Sequence, residues 1–393
     1  MGQNWTKAEL STRWLLQPWV RPTPTFALDG FSSSFPKAEF LTNYYDHELW
    51  YAPGAADIAV TKARIWDTLE HSRFDPKLTL LLVKGRPLAH ALYSDVIARY
   101  GDSPIASRRI SRPKLARVME HGATLVMRSI DEVDTNLSAL ASSLEWNFDC
   151  RVFVDLYANS ANAPQGTTPH WDDNDTIAVQ LWGTKRWLVH GPGRINPLRA
   201  ERARNECPKE VMMDVELQTG DVLYVPKGHW HSVTPTSQES GHLAISLRHA
   251  TGHDFLQWLV SLAVENEQVR QPLKTNRVSL DPDYALNCLK GLGESHFLAD
   301  MAAKATPHWL PTPRGPDTDQ VSFTSPRRTP LFWESGMLHV MALGYEWTFD
   351  SSTAPFVEKI CTIRSMSLDE VTDLLDDTGV VDELEYEGFL VTV

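Results

Sequence analysis

A mostly β core of jelly-roll type, with helices before and after it, is the fold class this sequence predicts, and three observations predict it. Between Leu78 and Leu247, short apolar and β-branched runs recur at close spacing with turn residues between them, which favours a jelly roll or related barrel over an α/β sheet. After Arg248 the pattern changes abruptly to helix. The chain has 393 residues, 42% of them hydrophobic and 10% aromatic, enough for a large core in two or three domains and far from the composition of a disordered chain.

Residues 1–85 read as an irregular leader with short helices, because Pro18, Pro22, Pro24 and Pro36 interrupt any longer pattern. Helices are expected over Glu39–Tyr51 and Ile58–His71, a buried strand over LTLLLV from Leu78, and a helix over HALYSDVIARY. Gly122–Arg128 should be a strand. Asp134–Trp146 places Leu137, Leu140, Ala141 and Leu144 at helical spacing behind an acidic start. Strands then follow over Arg151–Tyr157, Ile177–Trp182, Lys185–Val189, Asp221–Val225 and His242–Leu247, with the loop NSANAPQGTTP leading to His170. The main β domain is therefore set at 86–250.

Beyond it, HDFLQWLVSLAVENEQVR carries Phe255, Leu256, Leu259 and Leu262 on one broad face, and a second helical section runs over Asp283–Ala305, giving a helical region at 251–310. Six prolines between 306 and 330 mark a linker. A small α/β unit should occupy 331–393.

Charge narrows the partners. Lys and Arg number 37 against 50 Asp and Glu, a formal net charge of −13 that disfavours a global phosphate-binding role. One basic stretch, Ser107–Arg117, holds Arg108, Arg109, Arg112, Lys114 and Arg117; it reads as a solvated face before it reads as an anion site. The four cysteines form no CxxC pair, the first twenty residues lack the apolar core of a signal peptide, and no run reaches membrane-spanning length. A soluble protein of a reducing compartment, the cytoplasm, is expected.

Two stretches carry the chemistry. TTPHWDDNDTIAVQLWGTKRW places His170 and Asp172 two residues apart, which on a strand means one face. TGDVLYVPKGHWH ends a strand and a Pro/Gly loop at His231. Two histidines and one carboxylate form the donor set that holds non-heme Fe(II) on three positions and leaves others open. Lys185 either flanks a turn in water or, inside a barrel, requires an anion, since burying it unpaired is costly.

The HxD segment, the QLxGxKxW run (Gln180, Leu181, Gly183, Lys185, Trp187) and the GDxLYxPxGxxH run (Gly220–His231) resemble the JmjC/cupin-like 2-oxoglutarate oxygenases, most closely the ribosomal-oxygenase type. The resemblance spans about residues 85–250. It implies a double-stranded β-helix whose His170, Asp172 and His231 ligate iron, with Lys185 on the distal carboxylate of 2-oxoglutarate and Ser246 touching the same co-substrate. By the same resemblance 251–310 is a dimerisation region and 331–393 a winged-helix-like domain. The implied reaction consumes 2-oxoglutarate and dioxygen and hydroxylates a side chain of a protein or peptide, a ribosomal protein among them, with demethylation following where the target carbon is an N-methyl. The alternatives are a tailoring hydroxylase of a free amino acid or natural-product peptide, and a non-enzymatic cupin-like binding protein. Departures exist: many ribosomal-type members carry Asn where this chain has Asp155, and an aromatic or histidine soon after the HxD where Asp173-Asn174-Asp175 stand here. His229 is chemically able to compete as a ligand but is off the family spacing, and His190, His242 and His249 read as structural or solvent-facing. A homodimer is expected, without nucleic-acid or membrane partners.

Overall fold

Val152, Val154, Leu156 and Ala158 alternate into the core along the strand Arg151–Ser160, and the largest sheet of the chain is assembled around that strand. The computed structural model describes residues 5–21, 31, 35–58, 60–71, 75, 77–83, 85–97, 107–160, 167–204, 206–267, 269–272, 289–307 and 319–392. Two units emerge: Leu28–Arg248, and Met1–Ala27 together with His249–Val393.

In chain order the strands are β1 (Trp5–Glu9), β2 (Trp50–Ala52), β3 (Thr79–Val83), β4 (Arg86–Pro87), β5 (Ser94–Ile97), β6 (Ser107–Ile110), β7 (Thr124–Met127), β8 (Arg151–Ser160), β9 (Thr167–His170) and β10 (Asp175–Trp182). They continue with β11 (Lys185–Pro192), β12 (Val211–Leu217), β13 (Val222–Val225), β14 (His229–Pro235) and β15 (Glu239–Arg248). The unit Leu28–Arg248 holds an eight-stranded sheet, β2-β13-β10-β15-β8-β7-β3-β4, and a four-stranded sheet, β12-β11-β14-β9. These are the two sheets of the expected jelly roll.

β10 shows why both faces of its central strands are apolar. Ile177 and Val179 join a cluster with Leu137, Leu140 and Leu144 of the helix Thr135–Phe148, whereas Ala178 packs with Trp187, Val189, Leu223 and Val233 from the barrel side. The helix is fixed at its start by Asp134, whose carboxylate accepts from the N–H groups of Asn136 and Leu137 at 3.0 and 3.1 Å. Between β10 and β11 the chain turns at Gly183 with φ +62°, and a Cβ there would lie 1.9 Å from the Glu239 carbonyl. No side chain fits that turn.

In the other unit, β1 joins a sheet with β17 (Leu331–Glu334), β18 (Met337–Ala342) and β19 (Tyr345–Phe349), in the order β1-β19-β18-β17. A second sheet unites β16 (Gln320–Phe323), β20 (Ser365–Ser367) and β21 (Leu390–Thr392) in the order β20-β16-β21. Helices cover Gly252–Ala263, Glu294–Ala303, Ala354–Ile363, Leu368–Thr372 and Gly379–Tyr386. Trp14, Leu15, Trp258, Phe297, Phe332 and Met341 form one of its cores, where the Trp258 indole donates to Asp300 Oδ2 at 2.8 Å.

Several local expectations are corrected. The helix expected over HALYSDVIARY is not formed in its described residues 90–97, while 98–100 lie outside the described residues: after a short turn Ser94–Ile97 pairs with Ser107–Ile110, because Val96 and Ile97 are β-branched and a partner strand is at hand. The helix expected to reach Tyr51 stops earlier, and Trp50–Ala52 instead edges the large sheet against β13. The stretch 1–85 is not one leader, since its first part groups with the C-terminal residues and its second part with the barrel. Val211–Leu217 is a strand where none was expected, and Gln320–Phe323, inside the expected linker, pairs with β20 and β21. Of the helix expected over Asp283–Ala305, residues 283–288 lie outside the described residues, as do 308–318 of the linker and 161–166 of the loop before His170. In the basic stretch, Arg112 pairs with Glu70 and Lys114 with Asp95, which makes those two cations part of a solvated, ion-paired face.

Candidate metal centre

β9 and β14 pair so that His170 lies directly across from His231, their ring centroids 4.3 Å apart. Asp172 is not on the strand, which ends at His170; it stands in the turn before β10, and its backbone carbonyl accepts from Gly228 N–H at 2.9 Å. That bond ties the turn to the Pro/Gly loop leading into β14. The Asp172 carboxylate comes to 3.7 Å from His231 Nε2, and one donor atom from each of His170, Asp172 and His231 lies within 4.8 Å of the others.

The imidazoles are oriented for metal. His170 Nδ1 lies 2.8 Å from the Thr168 carbonyl and His231 Nδ1 lies 3.1 Å from the His229 carbonyl. A carbonyl only accepts, so each Nδ1 carries a proton, and Nε2 is the nitrogen left to present a lone pair to a metal. Trp187 stacks on the His231 ring at 5.6 Å and holds it from behind. Burial pushes the His231 imidazole down to about 4, with His170 beside it adding to the effect, so the ring is neutral and ready to ligate at ordinary pH. His229 points its Nδ1 to the Pro226 carbonyl at 3.1 Å and is not part of the cluster.

A cavity of about 570 Å³ opens beside this cluster, lined among others by Asp155, Tyr157, His170, Asp172, Thr176 and Ser246. Ser246 sits opposite Thr176 across β15 and β10. Asp155 accepts from Ser129 N–H at 2.9 Å, and burial raises its carboxyl to about 6. A second, more apolar cavity of about 390 Å³ between the helices Lys62–His71 and Arg112–Glu120 shares no lining residue with the first.

Lys185 is inside, with 1% exposure, while its neighbour Arg186 is outside and bonded to Asp214. Its Nζ meets the Tyr157 carbonyl at 2.9 Å and His242 Nδ1 at 2.8 Å. Burial drives the amine well below its ordinary pKa. His242 is buried, and Thr176 has a buried hydroxyl without a hydrogen bond among the described residues. The sequence does not single out Thr176 and gives Tyr157 and Trp187 no separate role. Strand alternation is the available signal: His242, Ala244 and Ser246 share a face of β15, as Asp155 and Tyr157 do on β8.

Fold and donor set together define a jelly-roll protein of the cupin-like class with a two-histidine, one-carboxylate cluster beside its cavity. Residues 129–255 match the JmjC domain model. The fold is shared with the Escherichia coli ribosomal oxygenase YcfD: one crystal structure gives a TM-score of 0.59 at 13% identity over 93% of this chain and 100% of that one. Another, in complex with cobalt and 2-oxoglutarate, gives 0.58 at 15% identity over 92% and 99%. By sequence, the chain is 30% identical over 132 residues to the bifunctional lysine-specific demethylase and histidyl-hydroxylase NO66 of Dictyostelium discoideum, covering 32% of this chain and 26% of that protein. The Drosophila melanogaster NO66 is 33% identical over 116 residues, 28% of this chain and 18% of that protein. The chain thus spans about a quarter or less of the length of these two relatives.

Proposed function

We propose that this protein is an Fe(II)- and 2-oxoglutarate-dependent oxygenase that hydroxylates a side chain of a protein or peptide. The observation that carries the reading is the convergence of His170, Asp172 and His231 beside a cavity one of whose lining residues, Tyr157, is bonded through its carbonyl to the buried Lys185. The donor set fits iron: two neutral imidazole nitrogens and one carboxylate are the ligands that non-heme Fe(II) takes on one face, leaving the opposite positions to other molecules. When bound, iron supplies the oxidative chemistry, in which dioxygen and 2-oxoglutarate yield succinate, carbon dioxide and one oxygen atom placed into a C–H bond.

The chain's own residues ligate, orient and exclude water. Asp172 brings the negative charge that offsets the ion, and the Thr168 and His229 carbonyls fix the imidazole tautomers. Lys185 supplies the charge for a distal carboxylate, and Ser246 a hydroxyl on the cavity wall. YcfD is described as a ribosomal oxygenase and NO66 as a histidyl-hydroxylase, which supports a protein substrate and makes ribosomal proteins the first to try. The test is a gain of one oxygen atom in ribosomal proteins or their histidine-containing peptides after incubation with iron-loaded protein, measured by mass spectrometry.

The helix Gly252–Ala263 leaves Leu256 and Val260 60% and 67% exposed one turn apart, which supports a homodimer contact in 251–310. The unit 331–393 is read as winged-helix-like but not as a nucleic-acid binder: from Ser367 to Val393 there are nine acidic residues and no Lys or Arg. No helix among the described residues is long and apolar enough to cross a membrane, and the free thiols of Cys150, Cys207 and Cys361 support the cytoplasm as its compartment.

A further inference from the structure

Lys185 and His242 meet in the interior of the barrel unit, on strands of different sheets, and both are almost wholly buried. Around them the packing is tight and specific. Tyr157 stacks on the His242 ring at 5.2 Å with 7° between planes, Trp187 meets the same ring edge-on at 5.3 Å, and Tyr157 is also the cross-strand partner of His242. The packing fixes the plane of the imidazole, and the contact with Lys185 selects the flip that turns Nδ1 towards the amine. In it, Nδ1 sits 2.8 Å from Lys185 Nζ, while the Tyr157 carbonyl takes a second contact with that amine at 2.9 Å.

An ammonium has three hydrogens and no lone pair, so towards Lys185 in its charged form the His242 Nδ1 must be an acceptor. Burial disfavours charge on both groups, so it does not choose between them; a proton shared between the two nitrogens stays on the intrinsically stronger base, the amine, and an arriving carboxylate favours the ammonium further. Two of the three ammonium hydrogens are then committed, to Tyr157 and to His242. One remains. His242 shares its face of β15 with Ala244 and Ser246, and these two residues, like Tyr157, line the cavity beside the metal cluster.

We propose that His242 is a positioning residue for co-substrate binding: as a neutral acceptor it holds the Lys185 ammonium so that its remaining hydrogen meets the distal carboxylate of 2-oxoglutarate. The inference rests on the functional reading above and adds to it a residue that acts only through Lys185. Without the acceptor, the ammonium has one fewer fixed contact and must either rotate or lose its proton, and in both cases a carboxylate is held less well.

The test is calorimetric titration of 2-oxoglutarate, and of 2-oxobutyrate, which lacks the distal carboxylate, into the Mn(II)-loaded full chain without iron or turnover. His242→Leu should weaken 2-oxoglutarate at least tenfold and change 2-oxobutyrate less than twofold. His242→Asn, whose Oδ1 can stand where Nδ1 stands, should recover most of the loss. In a Lys185→Ala background, His242→Leu should cost little more, since its effect passes through the missing amine. Equal weakening of both keto acids, or an undiminished effect of His242→Leu when Lys185 is already Ala, would overturn the proposal in favour of a packing role. If His242→Leu does not fold, His242→Asn and His242→Gln decide: a loss of affinity in both variants that spares neither keto acid also overturns it. A wild-type protein that binds Mn(II) but shows no preference for 2-oxoglutarate over 2-oxobutyrate instead defeats the functional reading on which the proposal stands.

Discussion

His170 and His231 are direct cross-strand neighbours, with ring centroids 4.3 Å apart, although they come from separate motifs. β9 and β14 thereby place two imidazole donors side by side, and the turn after β9 swings Asp172 to the same point. Substituting any of His170, Asp172 or His231 by Ala should reduce Mn(II) or Fe(II) affinity by at least an order of magnitude, because each removes one of three attachments. Metal titration followed by elemental analysis checks this, with circular dichroism to show that the fold survives. Wild-type metal content in one of the variants would remove that residue from the centre.

Lys185→Ala should raise the KM for 2-oxoglutarate about 10- to 100-fold, the equivalent of a charge-assisted bond of about 1.5 to 3 kcal/mol, and leave metal affinity unchanged. Steady-state kinetics with varied 2-oxoglutarate measures it. An unaltered KM would assign the buried amine to packing alone.

Asp155 sets a pH dependence. Its carboxyl is raised to about 6, chiefly by burial, so the folded state holds this proton more tightly than the unfolded state does. Its contribution to stability is complete below about pH 4, the unfolded value, and is lost as pH rises to 6 and beyond. Asp155→Asn keeps an acceptor for Ser129 N–H and has no charge to bury. In metal-free protein the variant should melt a few degrees higher than wild type at pH 7.5 and at nearly the same temperature at pH 4. A pH-independent difference in melting curves would contradict the assignment.

Much of the site is legible in the sequence, and the reason is local. HxD, GxK and the Pro/Gly loop before His231 each encode a turn or strand end whose geometry follows from a few consecutive residues. The parts that are not legible depend on partners far along the chain. Ser94–Ile97 is a strand because Ser107–Ile110 pairs with it, and Trp50–Ala52 because β13 lies open beside it. The HxD spacing makes Asp172 a strand residue on His170's face, whereas the strand ends too early and the turn does the aiming. From sequence His242 reads as structural or solvent-facing, and only the cross-barrel meeting with Lys185 shows its neighbour.

The acidic C-terminal segment gives a prediction of absence. The full chain should show no salt-sensitive binding to random duplex in a fluorescence-anisotropy titration at low salt, where electrostatic attraction is strongest. Micromolar binding that weakens as salt rises would restore a nucleic-acid role. For the dimer, Leu256→Glu with Val260→Glu should shift the mass measured by light scattering from two chains to one; an unchanged mass would place the contact elsewhere.

Succinate formation tests most directly whether the His170–Asp172–His231 cluster supports oxygenase chemistry. Purified chain loaded anaerobically with Fe(II), then given 2-oxoglutarate and dioxygen, should form succinate at a rate that requires iron and oxygen and that Asp172→Ala abolishes. Succinate formation that persists undiminished in Asp172→Ala, or none from iron-loaded wild type with candidate ribosomal substrates present, would contradict that role.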